Sequence, residues 1–345
     1  MIRPDWNEPF FPTLAAKNAA RMGHPNAILS GRINNGDPMR AILRAVTCVC
    51  VFTVVSIAAE YGRSQSARTG TTQPANATAL SPKWEELTGP DFIRAIHQSQ
   101  GVCLLPFGIL EKHGTQLPIG TDLIDVRHAS LQAATQEYAV VFPPYYFGQI
   151  AEARHQPGTV SYSARLQMEL LQATTDEMAR NGCKKIVVVN GHGGNESFLP
   201  YFAQSQLDSP KDYVVYIYGL QHRAPDAPPL QDKVDEHAGQ TETSLMMVAR
   251  PDLAHMDRVG QESGADQDRV HLPPGVYTGI WWYAKFPNHY AGYAQYANAK
   301  LGEMDMKAWV GGIVGAIRAV KADQASLALQ DQFYRDEKHP LDTKQ

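Results

Sequence analysis

Residues 185–190, KIVVVN, form a short apolar run with no polar alternation. A strand with one face in water alternates apolar and polar residues. An unbroken run of Val and Ile suits a strand covered on both faces, as in a parallel sheet. The preceding residues, 164–180 (ARLQMELLQATTDEMAR), carry apolar positions at helical spacing and stop at Asn181-Gly182, a natural C-terminal cap. Parallel neighbours need crossover connections, so a helix feeding such a strand points to an α/β architecture. The rest of the chain repeats the theme. Residues 103–107, 139–142 and 213–218 read as further strands. Residues 84–98, 125–137, 198–207, 242–249 and 304–322 read as helices, the first broken at Gly89-Pro90. The expected fold is a single three-layer α/β/α domain with a mostly parallel central sheet.

Composition narrows the function classes. Hydrophobic residues make up 43% and charged residues 19% of 345, which is the make-up of a folded chain. A formal charge of -4 leaves no basic footprint for a phosphate backbone, so no nucleic-acid partner is expected. Four cysteines are too few for a disulfide-stapled scaffold. Cys103 and Cys183 lie in or beside candidate strands, and nothing in the sequence shows that they pair.

The first eighty residues read differently. Residues 1–38 are rich in Asn, Pro and Gly and lack periodicity; they are expected to be a non-native extension, with translation starting at Met39. Residues 39–67 hold Arg40, Arg44 and the uncharged run 45–59 (AVTCVCVFTVVSIAA), in the layout of a secretory signal. The run is shorter than the roughly 20 residues that span a bilayer as a helix. Residues 68–80 read as a linker, residues 81–330 as the catalytic domain and residues 331–345 as a charged, solvated tail. Export, to the periplasm, is therefore expected, with no stable membrane span after processing. The alternative is a cytoplasmic protein in which the signal-like segment is unused.

Three clusters carry chemistry. EKHGTQLPIGTD (111–122) follows the strand ending near Phe107 and places Glu111, His113 and Asp122 in a loop at its carboxyl end, where open α/β sheets build their sites. Such residues suit a divalent metal. They equally suit an acid/base pair, and a surface loop with incidental charges has the same spacing. NGHGGNE (190–196) follows the strongest strand; His192 sits among Gly191, Gly193 and Gly194. It matches neither a dinucleotide fingerprint nor a P-loop, which sets a phosphate cradle aside. DEHAGQTETS (235–244) opens a helix and supplies His237 and Glu242; a carboxylate serving only the helix N-terminus is the simpler reading of Glu242.

Together the segments 105–122, 189–195 and 237–244 resemble the creatininase family, the creatinine amidohydrolases, and the similarity runs from about residue 101 to 322. HQPGT (155–159) and residues 275–303, a variable substrate-side loop, fit the same pattern. The resemblance implies a dinuclear metal centre. Glu111 and His192 would hold one ion, His113 the other, and Asp122 would bridge them; His237 would be the catalytic acid/base. Zinc or manganese is expected, with ferrous iron also accommodated. Creatininase carries a glutamate ligand two residues after the histidine matching His192, where this chain has Gly194. Glu242 is the expected replacement, ahead of Glu196 and Glu236. That departure argues against creatinine as substrate.

The implied function is hydrolysis at a carbonyl of a small cyclic amide or related compound, with a metal-bridged hydroxide as nucleophile. Hydrolysis of a C–C bond or a formamide is the alternative within the family, and a non-catalytic periplasmic binding protein the alternative outside it. Tyr146, His155, Trp281 and Trp282 are candidate pocket walls. A homo-oligomer is implied by the resemblance.

Overall fold

The computed structural model describes residues 79–342. The expectations for residues 1–38 and 39–67, and for nearly all of 68–80, lie outside them. Strands β1 (Val102–Phe107), β2 (Val140–Val141), β3 (Lys185–Asn190) and β4 (Val214–Tyr218) form a four-stranded sheet in the order β2-β1-β3-β4, every pairing parallel. Pro106, which has no N–H to give, falls beyond the short β1–β2 pairing of Cys103 with Val140 and Leu104 with Val141.

The strands are covered on both faces, as their unbroken apolar runs require. On one face Val102, Leu104, Val187 and Val189 pack with residues of α2 (Thr121–Gln136), α5 (Gln240–Ala249) and α7 (Ala299–Ala322), among them Val126, Leu245, Trp309 and Ile313. On the other, Leu105, Phe107, Ile186 and Val188 pack with residues of α1 (Gly89–Gln98), α3 (Ala164–Arg180) and α4 (Asn195–Ser205), including Ala95, Leu171, Met178, Leu199 and Phe202. Cys103 and Cys183 sit in this second layer and form a disulfide between residues 80 apart in the chain. This pairing was not readable in the sequence.

Local signals set the ends. Thr88 caps α1, accepting the Asp91 N–H, with Gly89-Pro90 at the start of the helix rather than inside it. The expected helix over 84–98 therefore divides, with only a short 3-10 turn at Trp84–Glu86. Ser163 and Asn298 cap α3 and α7 in the same way. After α6 (Trp281–Lys285) and α7, a last helix, α8 (Ser326–Asp336), crosses the expected boundary at residue 331 and anchors through Tyr334, whose hydroxyl donates to the Gln206 carbonyl. The part of the expected tail up to Asp336 is thus helical.

Strand order reverses between β1 and β3, because β2 lies to one side of β1 and β3 to the other. Crevices in open α/β sheets lie at the carboxyl ends of strands at such a point. Here Phe107 pairs with Asn190, so the two strands end level. The first turn of α2 docks against both exits. A Cβ on Gly108 would come within 2.6 Å of the Leu123 backbone, and one on Gly191 within 2.6 Å of Val126 Cβ. Only glycine permits both approaches.

Candidate metal centre

Asp122 lies in the first turn of α2, not in the preceding loop. That helix begins earlier than its apolar pattern announces, because Pro118 and Gly120 start it: Thr121 Oγ1 donates to the Pro118 carbonyl and the Ile124 N–H to the Gly120 carbonyl. Docked against Gly108 and Gly191, this turn brings Asp122 between the two strand ends. Glu111 and His113 follow β1 directly, and both are fully buried. After β3 the glycine turn is held by asparagines. Asn190 Oδ1 accepts the His192 N–H at 3.1 Å and Asn195 Nδ2 at 3.3 Å, while Asn195 Oδ1 accepts the Gln149 N–H. His237 is pinned to Ala291 by a pair of backbone hydrogen bonds of 3.0 Å. Glu242 sits in the first turn of α5.

These side chains converge. His192 Nδ1 is 3.0 Å from Glu111 Oε1 and 3.0 Å from Asp122 Oδ2. The other Asp122 oxygen, Oδ1, is 3.0 Å from His113 Nε2, which is 3.8 Å from Glu242 Oε2. Glu111–Asp122–His192 and His113–Asp122–Glu242 therefore make two three-donor groups that share Asp122, one oxygen facing each. Glu111, His113 and His237 make a third. Glu196 and Glu236 belong to none of these groups and are exposed.

His113 Nε2 pairs with Asp122 Oδ1 at 3.0 Å, but two carboxylate oxygens find no partner within the cluster. His113 Nδ1 is 3.1 Å from the Glu111 carbonyl oxygen, which can only accept, so Nδ1 carries the hydrogen and Nε2 faces the carboxylates. Glu111 Oε1 and Asp122 Oδ2 are buried without a hydrogen-bond partner although an imidazole nitrogen stands 3.0 Å away. Buried anionic oxygens are not left unpaired without cause. Mixed nitrogen and carboxylate donors suit a borderline divalent ion.

Charges follow from this crowding. Burial opposes charge on His113, yet Asp122 beside it pushes its imidazole up to about 10. Burial raises Glu242 to about 7. Asp125, buried behind Asp122 and Glu242, is driven well above the carboxylate range, first by burial and then by those two charges. His237 is pushed down to about 3 by burial, with His113 and His289 adding to it. Its Nε2 donates to the Lys112 carbonyl at 2.7 Å, which leaves Nδ1 as its open nitrogen, 3.8 Å from Glu242 Oε2.

A raised pKa in the metal-free fold means that the proton stays bound until pH climbs through that value. At pH 7 His113 is protonated and Glu242 about half so. Both must lose protons to act as ligands. Cation loading should therefore release one proton or more. Apparent affinity should weaken as pH falls, by about tenfold per unit for each proton displaced. Calorimetric zinc titrations in buffers of different ionisation enthalpy measure this; heats independent of the buffer at pH 7 would refute it.

Three site residues were not foreseen. His289, buried, donates from Nε2 to Glu111 Oε2. His222 lies with Nδ1 3.9 Å from Glu242 Oε1 and packs on Trp309. Asp125 is the third. The strand-end rule could have found His222, which follows β4 by four residues. His289 stands in a loop without periodicity and had no local signal. Among the expected walls, Trp282 meets His237 edge-on with ring centroids 6.0 Å apart. Trp281 donates to the Tyr277 hydroxyl, His155 packs on Tyr283, and Tyr146 packs on Phe147.

Among the described residues no helix is long and apolar enough to cross a membrane. The family model described as "Creatininase: Creatinine amidohydrolase" matches residues 85–317. Creatinine amidohydrolase of Pseudomonas putida is 26% identical over 259 residues, covering 68% of this chain and 95% of that protein. Mycofactocin precursor peptide peptidase of Mycolicibacterium smegmatis is 32% identical over 176 residues, 48% of this chain and 64% of that one. The solved structure described as "Creatininase Mn" superposes with a TM-score of 0.57 at 25% identity, covering 70% of this chain and all of that one.

Proposed function

We propose that this chain, which belongs to the creatininase family and is a metal-dependent hydrolase, opens a small cyclic amide other than creatinine. The observation that carries this reading is the pair of donor groups sharing Asp122, set beside a neutral histidine with one open nitrogen. Glu111, Asp122 and His192 would hold one divalent ion; His113, Asp122 and Glu242 the other. Zinc fits the mixed nitrogen and oxygen donors, and manganese is supported by the relative described with it. When bound, such a pair supplies a water of lowered pKa and a positive charge for the developing oxyanion.

The chain's own residues do the rest. His237, neutral at pH 7 and held through Nε2–H by the Lys112 carbonyl, accepts a proton at Nδ1 and returns it to the departing nitrogen. Lys112 keeps that carbonyl in place, because its ammonium donates to Glu262 at 2.8 and 2.6 Å and to the Asn288 carbonyl at 2.9 Å. Trp282 gives one apolar side to the space by His237, its ring edge-on with centroids 6.0 Å apart. Glu242 has two tasks. Its Oε2 also accepts the Ala238 N–H at 2.6 Å, so serving the helix start and facing a cation are compatible. A side chain at position 194 would put its Cβ 2.5 Å from His192 Nε2. The carboxylate that creatininase carries there has no room without moving His192, which supports Glu242 as its replacement and a substrate other than creatinine.

The test is hydrolysis of a panel of creatinine, five- and six-membered cyclic amides, formamides and short peptides by zinc- and manganese-loaded enzyme. Turnover of a cyclic amide, abolished by chelator and restored by metal, with little on creatinine, is expected. The peptidase relative makes peptides the second reading; cleavage of peptides alone would overturn the first. No turnover by fully loaded protein would favour a binding module. We further propose an exported small-molecule enzyme acting as a homo-oligomer. The buried Cys103–Cys183 disulfide supports an oxidising compartment.

A further inference from the structure

Glu111 is fully buried and its two oxygens meet different partners. Oε1 faces His192 without a hydrogen bond; Oε2 takes one from His289 Nε2. The other His289 nitrogen, Nδ1, lies 2.8 Å from Trp282 Nε1. An indole N–H can only donate. His289 Nδ1 must therefore accept, and the hydrogen of the neutral ring must sit on Nε2, aimed at Glu111. The tautomer of His289 is dictated by a tryptophan on the short helix α6.

A second observation points the same way. His289 has φ +55°, a left-handed conformation that costs a non-glycine residue free energy and persists only where its surroundings impose it. The surroundings are specific. The His289 N–H donates to the Phe286 carbonyl at 3.0 Å, and Trp282 packs on Phe286 with ring centroids 5.0 Å apart. Lys112, between Glu111 and His113, ties the same segment down through Glu262 and Asn288.

We propose that Trp282 and His289 are positioning residues acting as a relay: the indole N–H fixes the His289 tautomer, and His289 in turn holds Glu111 Oε2 so that Oε1 stays turned toward the cation. The short helix that carries Trp282 thereby sets the cation affinity of the Glu111 site. This rests on the reading of Glu111 as a donor. Groups behind a ligating carboxylate typically contribute 10–100-fold in metal affinity.

The experiment is competitive zinc titration of the full chain against a chromophoric chelator, with circular dichroism and thermal melts of the metal-free proteins alongside. Trp282→Phe keeps an aromatic ring and deletes only the N–H. It should weaken the Glu111 site about 10-fold or more, with the metal-free melt unchanged. His289→Ala should weaken it 10–100-fold. His289→Gln offers an amide N–H near the place of Nε2 and needs no tautomer; it should recover most of the affinity. In that background Trp282→Phe should have no further effect, which is the coupling a relay requires. Unchanged zinc affinity in Trp282→Phe would overturn the relay. So would equal losses from that change in the parent protein and in the His289→Gln variant. Glu111→Gln is the control: if it still binds two zinc ions with parental affinity, the reading of Glu111 has failed rather than the relay.

Discussion

Replacing Asp122 with alanine should strip the protein of both cations at once. Asp122 offers one oxygen to each donor group, 3.0 Å from His192 on one side and 3.0 Å from His113 on the other. No other residue belongs to both of these groups. Bound metal, read by elemental analysis after dialysis, should fall from two per chain toward zero. Hydrolytic kcat/KM should fall by about 10³-fold or more, because water activation and oxyanion stabilisation disappear together. Glu242→Gln should instead cost one metal per chain and leave the other. The metal-free fold should weaken as well. Burial opposes charge on Asp122, yet His113 and His192, each 3.0 Å away, hold its carboxyl below the usual range, so its removal takes a partner from two buried imidazoles. The metal-free melting temperature of Asp122→Ala should fall, and metal content is therefore read on protein that circular dichroism shows to be folded. Retention of both metals by the folded variant would count against a bridging role.

His237→Gln should separate proton transfer from metal binding. Glutamine can keep an N–H directed at the Lys112 carbonyl, as His237 Nε2 does at 2.7 Å, but has no basic nitrogen to take a proton. Two metals should remain bound, the melt should be unchanged, and kcat should fall by about 10²- to 10⁴-fold, the range for a positioned acid/base. KM should move much less. His237 also stands in a third donor group with Glu111 and His113, so a ligand role makes a different prediction. Loss of a metal together with activity would assign it there. Full kcat with full metal would remove it from the chemistry.

Much of this site is legible before any coordinates. Glu111, His113, Asp122, His192, His237 and Glu242 lie in three short motifs next to strand ends or a helix start, and it is the resemblance to the creatininase family that singles them out as one set. His222 also follows a strand end, and Asp125 lies one helical turn from Asp122, but neither stands in one of these motifs. His289 has no local signal and owes its place to packing between segments far apart in the chain, reaching Glu111 across 178 residues. Asp122 reads as a loop residue in the sequence, because the buried face of α2 starts with the polar residues Thr121, Asp122 and Asp125, which leave no apolar period to mark where the helix begins.

Residue chemistry alone dictates the class of fold. Strands such as 185–190 are apolar on both sides, so helices have to cover both faces, and that follows from solvent exclusion residue by residue. It also dictates which donor atoms exist and that they follow strand ends. Which oxygen faces which nitrogen comes from packing. The strand order β2-β1-β3-β4 sets β1 and β3 side by side, and glycines at 108 and 191 let α2 insert Asp122 between them. The same packing pairs Cys103 with Cys183 and turns Trp282 onto His289. Hydrogen-bond direction, tautomer and disulfide partner depend on distances of a few ångströms between residues distant in the chain, and those distances exist only once the layers have packed.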